Sequence, residues 1–109
     1  MASIYQGQNP TVVITVDSTA IDVSDNVVVT MWYKKTEERV KKWENPTMNI
    51  PVGQTLMWIY LPLTEQETRS FAAGDYIIST KLKHNGTVYF VKELNLSVTK
   101  RMDKEEIVW

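Results

Sequence analysis

The chain has 109 residues, a formal net charge of −1 and no cysteine. This length fits one domain with a core of its own, and the absence of thiols excludes disulfides, thiolate metal sites and cysteine catalysis. A nearly neutral chain offers no basic field to nucleic acid or to an anionic membrane surface. No apolar run approaches the roughly 20 residues of a membrane span, and the first residues lack a signal-peptide pattern, so we expect neither insertion nor secretion.

The first two predicted elements are strands. The segments Thr11–Val16 (TVVITV) and Val27–Tyr33 (VVVTMWY) are rich in β-branched and aromatic residues and have turn-rich flanks, which is typical of strands. The loop between them carries Asp17, Asp22 and Asp25. Their spacing is not that of an EF-hand, and aspartates are common where a side chain hydrogen-bonds the backbone of a turn. We therefore predict no metal site and no cofactor.

The charged segment Lys34–Glu44 (KKTEERVKKWE) admits two structures. As a helix it would form ion pairs between residues four apart, such as Glu37 with Lys41. As a hairpin it would be a charged, solvated edge that Val40 holds against the core. We favour the hairpin, because the runs on both sides of the segment are strands.

A short helical turn is predicted after the next strand, Thr55–Leu61 (TLMWIYL). Thr64 and Glu67 have the spacing of a capping box, in which each side chain binds the backbone N–H of the other residue. Phe71 would lie on the inner side of the turn and close one end of the core, while Gly74 permits a sharp return into the following strand. We interpret the turn as a corner between strands of opposite sheets.

The last predicted element is a long hairpin. The segment DYIISTKL alternates, with Tyr76, Ile78 and Leu82 on one face, and this is the period of a half-buried strand. Asn85-Gly86 follows, and this pair is a strong hairpin signal because a type I′ turn requires two positive φ angles. The run VYFVKELNLSV then returns as the partner strand.

Strands at this spacing predict an all-β fold, an immunoglobulin-like β-sandwich of about seven strands with one short helical turn at a strand crossover. A tyrosine directly after the turn, Tyr76, is similar to the tyrosine corner of immunoglobulin-like domains, whose hydroxyl binds backbone upstream. We assign residues 1–99 to the sandwich and residues 100–109 to a charged tail with an apolar end.

Several short motifs follow one another in a particular order. The first is a glycine followed by Pro-Thr in YQGQNPT, with Gly7, Pro10 and Thr11. The second is an LTxExT turn, matched by Leu63, Thr64, Glu65 or Glu67, and Thr68, and a glycine follows it at Gly74. The third is the Asn-Gly tip of the hairpin, and the last is the short acidic segment MDKEEIV, which ends in an aliphatic pair.

In these motifs the chain resembles, over nearly its whole length, a family of short immunoglobulin-like proteins encoded by phages and prophages of Gram-positive bacteria. It is also similar to the N-terminal domains of phage upper baseplate proteins. The resemblance implies a non-enzymatic structural or assembly protein, associated with a tail or baseplate and located in the virion or the host cytoplasm. The expected partners are other virion proteins or a second copy of the chain, with no nucleic acid and no membrane.

Tryptophans raise the alternative of a carbohydrate-binding β-sandwich module. Trp32 and Trp58 lie inside strand runs, where core packing or cross-strand pairing is the usual role, so we place both in the core. Trp43 stands in the charged segment and is a candidate partner contact. Glycan binding would require coplanar aromatic rings on one exposed face, so the exposure of these three rings separates the two functions.

No catalytic residue is predicted, and we expect no enzymatic activity. His84 is the single histidine, and it lies at the predicted hairpin tip. A general base requires a reaction partner and an orienting group, and a Ser-His-Asp arrangement would have no histidine to use other than this one.

The end of the tail is the main candidate contact. Ile107, Val108 and Trp109 follow a nearly neutral segment with three basic and three acidic residues, Lys100–Glu106. Apolar chain ends are unusual, since termini are normally polar unless they are tied down. We predict that these residues dock on a neighbouring subunit or on another virion protein. The alternative is that the tail folds back on its own sandwich or has no fixed structure.

Overall fold

The structure is a computed structural model that describes residues 2–17, 26–53, 55–84 and 86–100. It contains eight strands and one short helix within these ranges. In chain order they are β1 (Ala2–Tyr5), β2 (Thr11–Asp17), β3 (Asn26–Tyr33), β4 (Glu38–Glu44), β5 (Thr47–Asn49), β6 (Leu56–Pro62), α1 (Glu65–Ser70), β7 (Gly74–His84) and β8 (Thr87–Thr99).

The strands form two sheets, with the order β1-β8-β7-β3-β4 in one and β2-β6-β5 in the other. The predicted all-β sandwich is therefore confirmed. The described residues hold eight strands, where about seven were predicted, and β1 and β5 are short pieces that carry no strand pattern of their own. β1 runs parallel to β8, with Ala2 beside Leu96 and Tyr5 beside Thr99.

The core lies between the two sheets and is built by alternate residues of each strand. Tyr76, Ile78 and Leu82 are buried, which confirms the predicted inner face of β7. The largest fully buried apolar side chains come from both sheets, so the core spans the whole interface: Ile14, Met31, Met57, Ile59, Leu61, Tyr76, Ile78, Leu96, Val27 and Val29.

The charged segment is a hairpin, as the sequence favoured. β4 pairs antiparallel with β3, and the turn between them includes Glu37 in a left-handed conformation, with φ of 57°. The register passes from Met31 opposite Lys41 to Trp32 opposite Arg39, which leaves Val40 as an extra residue in β4. Val40 packs against the core at this bulge.

The helical corner is confirmed in detail. The Thr64 hydroxyl accepts a hydrogen bond from the Glu67 N–H at 3.1 Å, and the Glu67 carboxylate accepts one from the Thr64 N–H at 2.9 Å. Phe71 follows α1 and is buried against Tyr76, with 5.7 Å between the ring centroids. The Tyr76 hydroxyl donates to the Ala72 carbonyl at 2.7 Å, so it binds backbone upstream as predicted.

Two glycines allow the turns on either side of β7. Gly74 has φ of +147°, and a Cβ there would come within 3.0 Å of the Tyr33 ring. Gly86, with φ of +81°, lies in the two-residue connection between His84 and Thr87, which pair across the hairpin. The predicted hairpin is therefore confirmed, although Asn85 itself lies outside the described residues.

Candidate functional site

Trp43, one of the predicted partner contacts, lies on the inner face of β4 and is only 7% exposed. Its indole N–H donates to the carbonyl of Pro62 in the opposite sheet at 3.0 Å. The amine of Lys41 lies 5.7 Å from the centroid of its ring. Trp43 therefore ties the two sheets together and leaves little of its own surface for a partner.

Trp32 was predicted to be in the core, and that prediction is wrong. Met31 takes the inner position, so the next residue of β3 points outward and is 37% exposed. The indole N–H of Trp32 donates to the Thr30 hydroxyl, two residues earlier on the same face, at 2.9 Å. This contact orients the ring across the outer surface of the five-stranded sheet.

The Trp32 ring lines an open depression of about 550 Å³ on that surface. Two acidic residues, Glu37 and Glu93, and two basic residues, Lys34 and Lys81, line the same depression. An aromatic wall with charged and hydroxyl groups around it can stack one ring and bind hydroxyl or carboxylate groups at its edge. We call this surface the Trp32 depression. Thr30, Tyr33, Ile77 and Ser79 line the rest of it.

Trp58 was also predicted to be in the core, and that prediction is wrong for the same reason. Met57 is fully buried, so Trp58 points outward from the three-stranded sheet and is 36% exposed. Its ring lies beside that of Tyr60, with 6.5 Å between the centroids and 47° between the planes. The two rings are tilted against each other and form no flat platform.

Among the described residues, the outer face around Trp58 has no charged position except Asp17, the last residue of β2, which stands opposite Leu56. Across this face Val13 stands opposite Tyr60, and Trp58 lies between Thr15 and Asn49. Outward-facing sheet positions are more usually polar or charged, so this composition sets the surface apart. We call it the neutral face, with members Val13, Thr15, Thr47, Asn49, Leu56, Trp58 and Tyr60.

Trp32 and Trp58, the exposed tryptophans of the described residues, lie on opposite sides of the sandwich. Trp32 belongs to the five-stranded sheet and Trp58 to the three-stranded sheet, and each points away from the shared core. A single glycan chain therefore cannot stack on both rings. Any aromatic contact with a ligand would have to use one face alone.

The N-terminal turn packs directly on the helical corner. The buried Gln6 side chain donates to the Phe71 carbonyl at 2.7 Å. The Thr68 hydroxyl accepts from the Gly7 N–H at 3.1 Å and donates to the Gln8 carbonyl at 2.5 Å. The sequence showed both segments as separate motifs, but no local pattern indicated that Thr68 would join them.

Two titratable groups at this corner have shifted pKa values. Burial raises the pKa of Tyr76 to about 12, and the neighbouring Tyr33 adds to the rise. Desolvation also raises the pKa of Glu67, but hydrogen bonds from Lys41 and Thr64 outweigh it and hold the pKa below the usual value. Both shifts follow from contacts that fix the corner in place.

Several sequence candidates lie outside the described part of the chain. These are Asp22, Asp25 and the tail residues Ile107, Val108 and Trp109. Within the described ranges, no three histidine, cysteine, aspartate or glutamate residues are grouped as metal ligands. The described ranges also contain no helix with the length and apolar character needed to cross a membrane.

Comparison of the chain with protein-family models gave no match, and comparison with curated proteins gave none either.

Proposed function

We propose that this protein is a non-enzymatic structural or assembly protein of a phage or prophage, associated with the tail or baseplate. It acts through protein–protein contacts made by exposed strand edges and by its C-terminal segment. Its place of action is the virion, or the host cytoplasm during assembly.

The observation that carries the proposal is the packing of two distant motifs on each other. Gly7 belongs to the YQGQNPT motif and Thr68 to the LTxExT motif, and the hydroxyl of Thr68 accepts the Gly7 N–H. The same hydroxyl donates to the carbonyl of Gln8. Two motifs that carry the family resemblance, far apart in the sequence, thus form one hydrogen-bonded unit. This is expected if the members of the family share these residues because they stabilise a common fold.

The strand order supports an immunoglobulin-like assignment within this proposal. The sheet β2-β6-β5 takes the places of strands B, E and D, and β8-β7-β3 takes those of G, F and C. β4 corresponds to the additional strand C′ of variable-type domains. Tyr76, near the start of the F-like strand β7, occupies the position of the tyrosine corner.

The first experiment looks for the protein in the particle. Particles purified from the phage or induced prophage that encodes the chain should contain it in a fixed ratio to the other tail proteins, as measured by quantitative mass spectrometry. A strain that lacks the gene should yield defective particles, and the wild-type gene should restore them. Purified particles without the protein, together with normal particles from the deletion strain, would refute the proposal.

A variant of the tail tests the predicted mode of contact. Replacing Ile107, Val108 and Trp109 by serine should abolish incorporation into particles, because it removes the apolar end. The melting temperature of the purified domain should stay nearly the same. Val52→Ser is the matched control, since it removes a fully exposed apolar side chain elsewhere and should not change incorporation.

A carbohydrate-binding module remains the second candidate, and the exposure of Trp32 in the Trp32 depression is the observation that favours it. Titration with a panel of cell-surface glycans should then cause a saturable change in tryptophan fluorescence. Trp32→Ala should remove that change, whereas Trp58→Ala on the opposite sheet should retain it. No saturable change with any glycan would reject this candidate.

A further inference from the structure

The four edge strands of the two sheets differ in how they are protected. An edge strand exposes backbone N–H and C=O groups, and proteins limit unwanted pairing with short edges, charged side chains or bulges. β1 and β5 have only four and three residues. β4 carries charges at five of its seven positions and has a bulge at Val40. Three of the four edges therefore show one of these protective features.

β2 shows none of them over its first six residues, Thr11–Val16. It has seven residues and pairs with β6 without any shift in register. From Thr11 to Val16 it contains neither a charged residue nor a proline. Among the described residues, no strand pairs with its other side. β2 is thus a long, regular edge whose first six residues are uncharged and whose last residue is Asp17.

The direction of the backbone groups along β2 can be inferred from one contact. The Leu63 N–H donates to the Pro10 carbonyl at 2.9 Å, so Pro10 and Leu63 form a hydrogen-bonded pair next to the first pair of the ladder. Such pairs alternate along an antiparallel ladder. The N–H and C=O groups of Val12 and Ile14 consequently face β6, and those of Thr11 and Val13 face away from it.

We propose that β2 pairs antiparallel with β2 of a second copy of this chain, about a two-fold axis at Val13. In this register Val13 stands beside Val13 of the second copy, and Val12 stands beside Ile14 of the second copy. Paired β-branched side chains stabilise antiparallel sheets. The dimer is closed, because the same surface of each copy makes the contact.

The charge pattern explains why the partner is a second copy. A two-fold axis places each residue near its own equivalent, so charges close to the axis would repel each other. β2 is free of charge near that axis, and the neutral face continues beside it on β6 and β5. The two three-stranded sheets join into one six-stranded sheet with a continuous neutral face. This dimer deepens the proposed assembly role, because it identifies one edge and its partner.

Sedimentation velocity of the full chain tests the dimer. Edge pairing of this size belongs to the small, weak class of interfaces, so the mass should rise with concentration from 12.6 kDa toward twice that value. Val13→Lys should weaken association on the order of tenfold or more, since two like charges meet at the axis. Val88→Lys should have no effect, because it makes the same change at an exposed position of the other sheet.

Crosslinking tests the register without relying on the charged variant. The chain has no cysteine, so Val13→Cys introduces a single thiol next to its equivalent across the axis. Mild oxidation should give a disulfide-linked dimer much faster for Val13→Cys than for Val88→Cys.

Several results would overturn the dimer. The wild-type chain could stay monomeric at millimolar concentration. The two lysine variants could associate equally strongly, or the two cysteine variants could crosslink equally fast. Association that survives Val13→Lys but is lost when Ile107–Trp109 is removed would assign the contact to the tail instead. None of these results bears on whether the protein is present in virions, so the proposed function is tested separately.

Discussion

The side-chain amide of Gln6 donates a hydrogen bond to the backbone carbonyl of Phe71, with 2.7 Å between nitrogen and oxygen. Both residues are buried. The bond joins the turn after β1 to the end of α1, two segments that are 65 residues apart in the sequence. A buried amide with a defined acceptor is a strong local constraint, because leaving either group without a partner is costly.

Gln6→Met should lower the free energy of unfolding by about 1–3 kcal/mol, because it preserves the size of the side chain and leaves the Phe71 carbonyl without this donor. Urea unfolding measures the change. Gln66→Met is the control, since Gln66 is exposed on α1 and this change should cost about 0.5 kcal/mol or less. Equal effects of the two substitutions would show that the Gln6 contact does not stabilise the corner.

Phe71→Ala should destabilise the domain by about 3–5 kcal/mol, because it opens a cavity at the end of the core. The buried ring packs against Tyr76. Chemical denaturation should show a lower midpoint with a nearly unchanged slope. A variant that unfolds at the wild-type midpoint would contradict the role of this ring.

Tyr76→Phe should cost about 1 kcal/mol, since it removes only the hydroxyl bonded to the Ala72 carbonyl. Tyr33→Phe provides a matched comparison, because its hydroxyl lies 3.5 Å from the Ala73 carbonyl in an exposed position. We expect its effect on the unfolding midpoint to be smaller. The prediction fails if the Tyr33 variant is the less stable of the two.

Stability should fall at acid pH in a way that depends on Glu67. Its pKa in the folded protein is lower than the usual 4.5, because hydrogen bonds from Lys41 and Thr64 outweigh the effect of desolvation. The stabilisation is therefore complete above pH 4.5 and is lost as the pH falls through the folded-state pKa. Glu67→Gln should be less stable than wild type at pH 7, and the difference in melting temperature should shrink below pH 4.5.

Glu44→Gln is the control for that experiment. Glu44 pairs with Lys42 at 2.8 Å on an exposed part of β4, where solvent and salt screen the interaction. Its removal should change the pH dependence much less. A Glu67→Gln protein whose melting temperature runs parallel to that of wild type from pH 7 to pH 3 would disprove the role of Glu67.

Two buried threonines should respond in opposite directions to the same substitution. Thr80 and Thr68 are both fully buried, but the Thr80 hydroxyl has no hydrogen-bond partner in the described structure. Thr80→Val should raise stability by about 1 kcal/mol, because a methyl group is cheaper to bury than such a hydroxyl. Thr68→Val should lower it by about 1–3 kcal/mol, since it breaks the contacts with Gly7 and Gln8. Thermal melts of both variants show whether stability rises or falls relative to wild type.

Local patterns predicted much of the fold. The capping box of Thr64 and Glu67 and the tight connection after His84 depend on neighbouring residues, so the sequence was sufficient for both. β1 was missed because its pairing with β8 joins segments more than 90 residues apart. A strand of four residues carries too little periodicity to be recognised alone.

The facing direction of the tryptophans could not be read from the sequence. In Val27–Tyr33 and Thr55–Leu61 apolar residues follow one another on both faces, so the alternation that would fix the inner face is missing. Trp32 and Trp58 turned outward because the adjacent methionines took the inner positions. The predicted partner contacts had two different outcomes. Trp43 is a core residue, whereas Ile107, Val108 and Trp109 lie outside the described residues.

The parallel alignment of β1 with β8 has a mechanical consequence. The chain enters the sandwich at the Ala2 end of β1 and leaves it at the Thr99 end of β8. A force that pulls these two ends apart would draw the strands in opposite directions along their own axes. The evenly spaced bonds of a parallel pair would then share the load and shear together, instead of opening one after another. A domain pulled through these two ends would resist extension until the whole pair gives way.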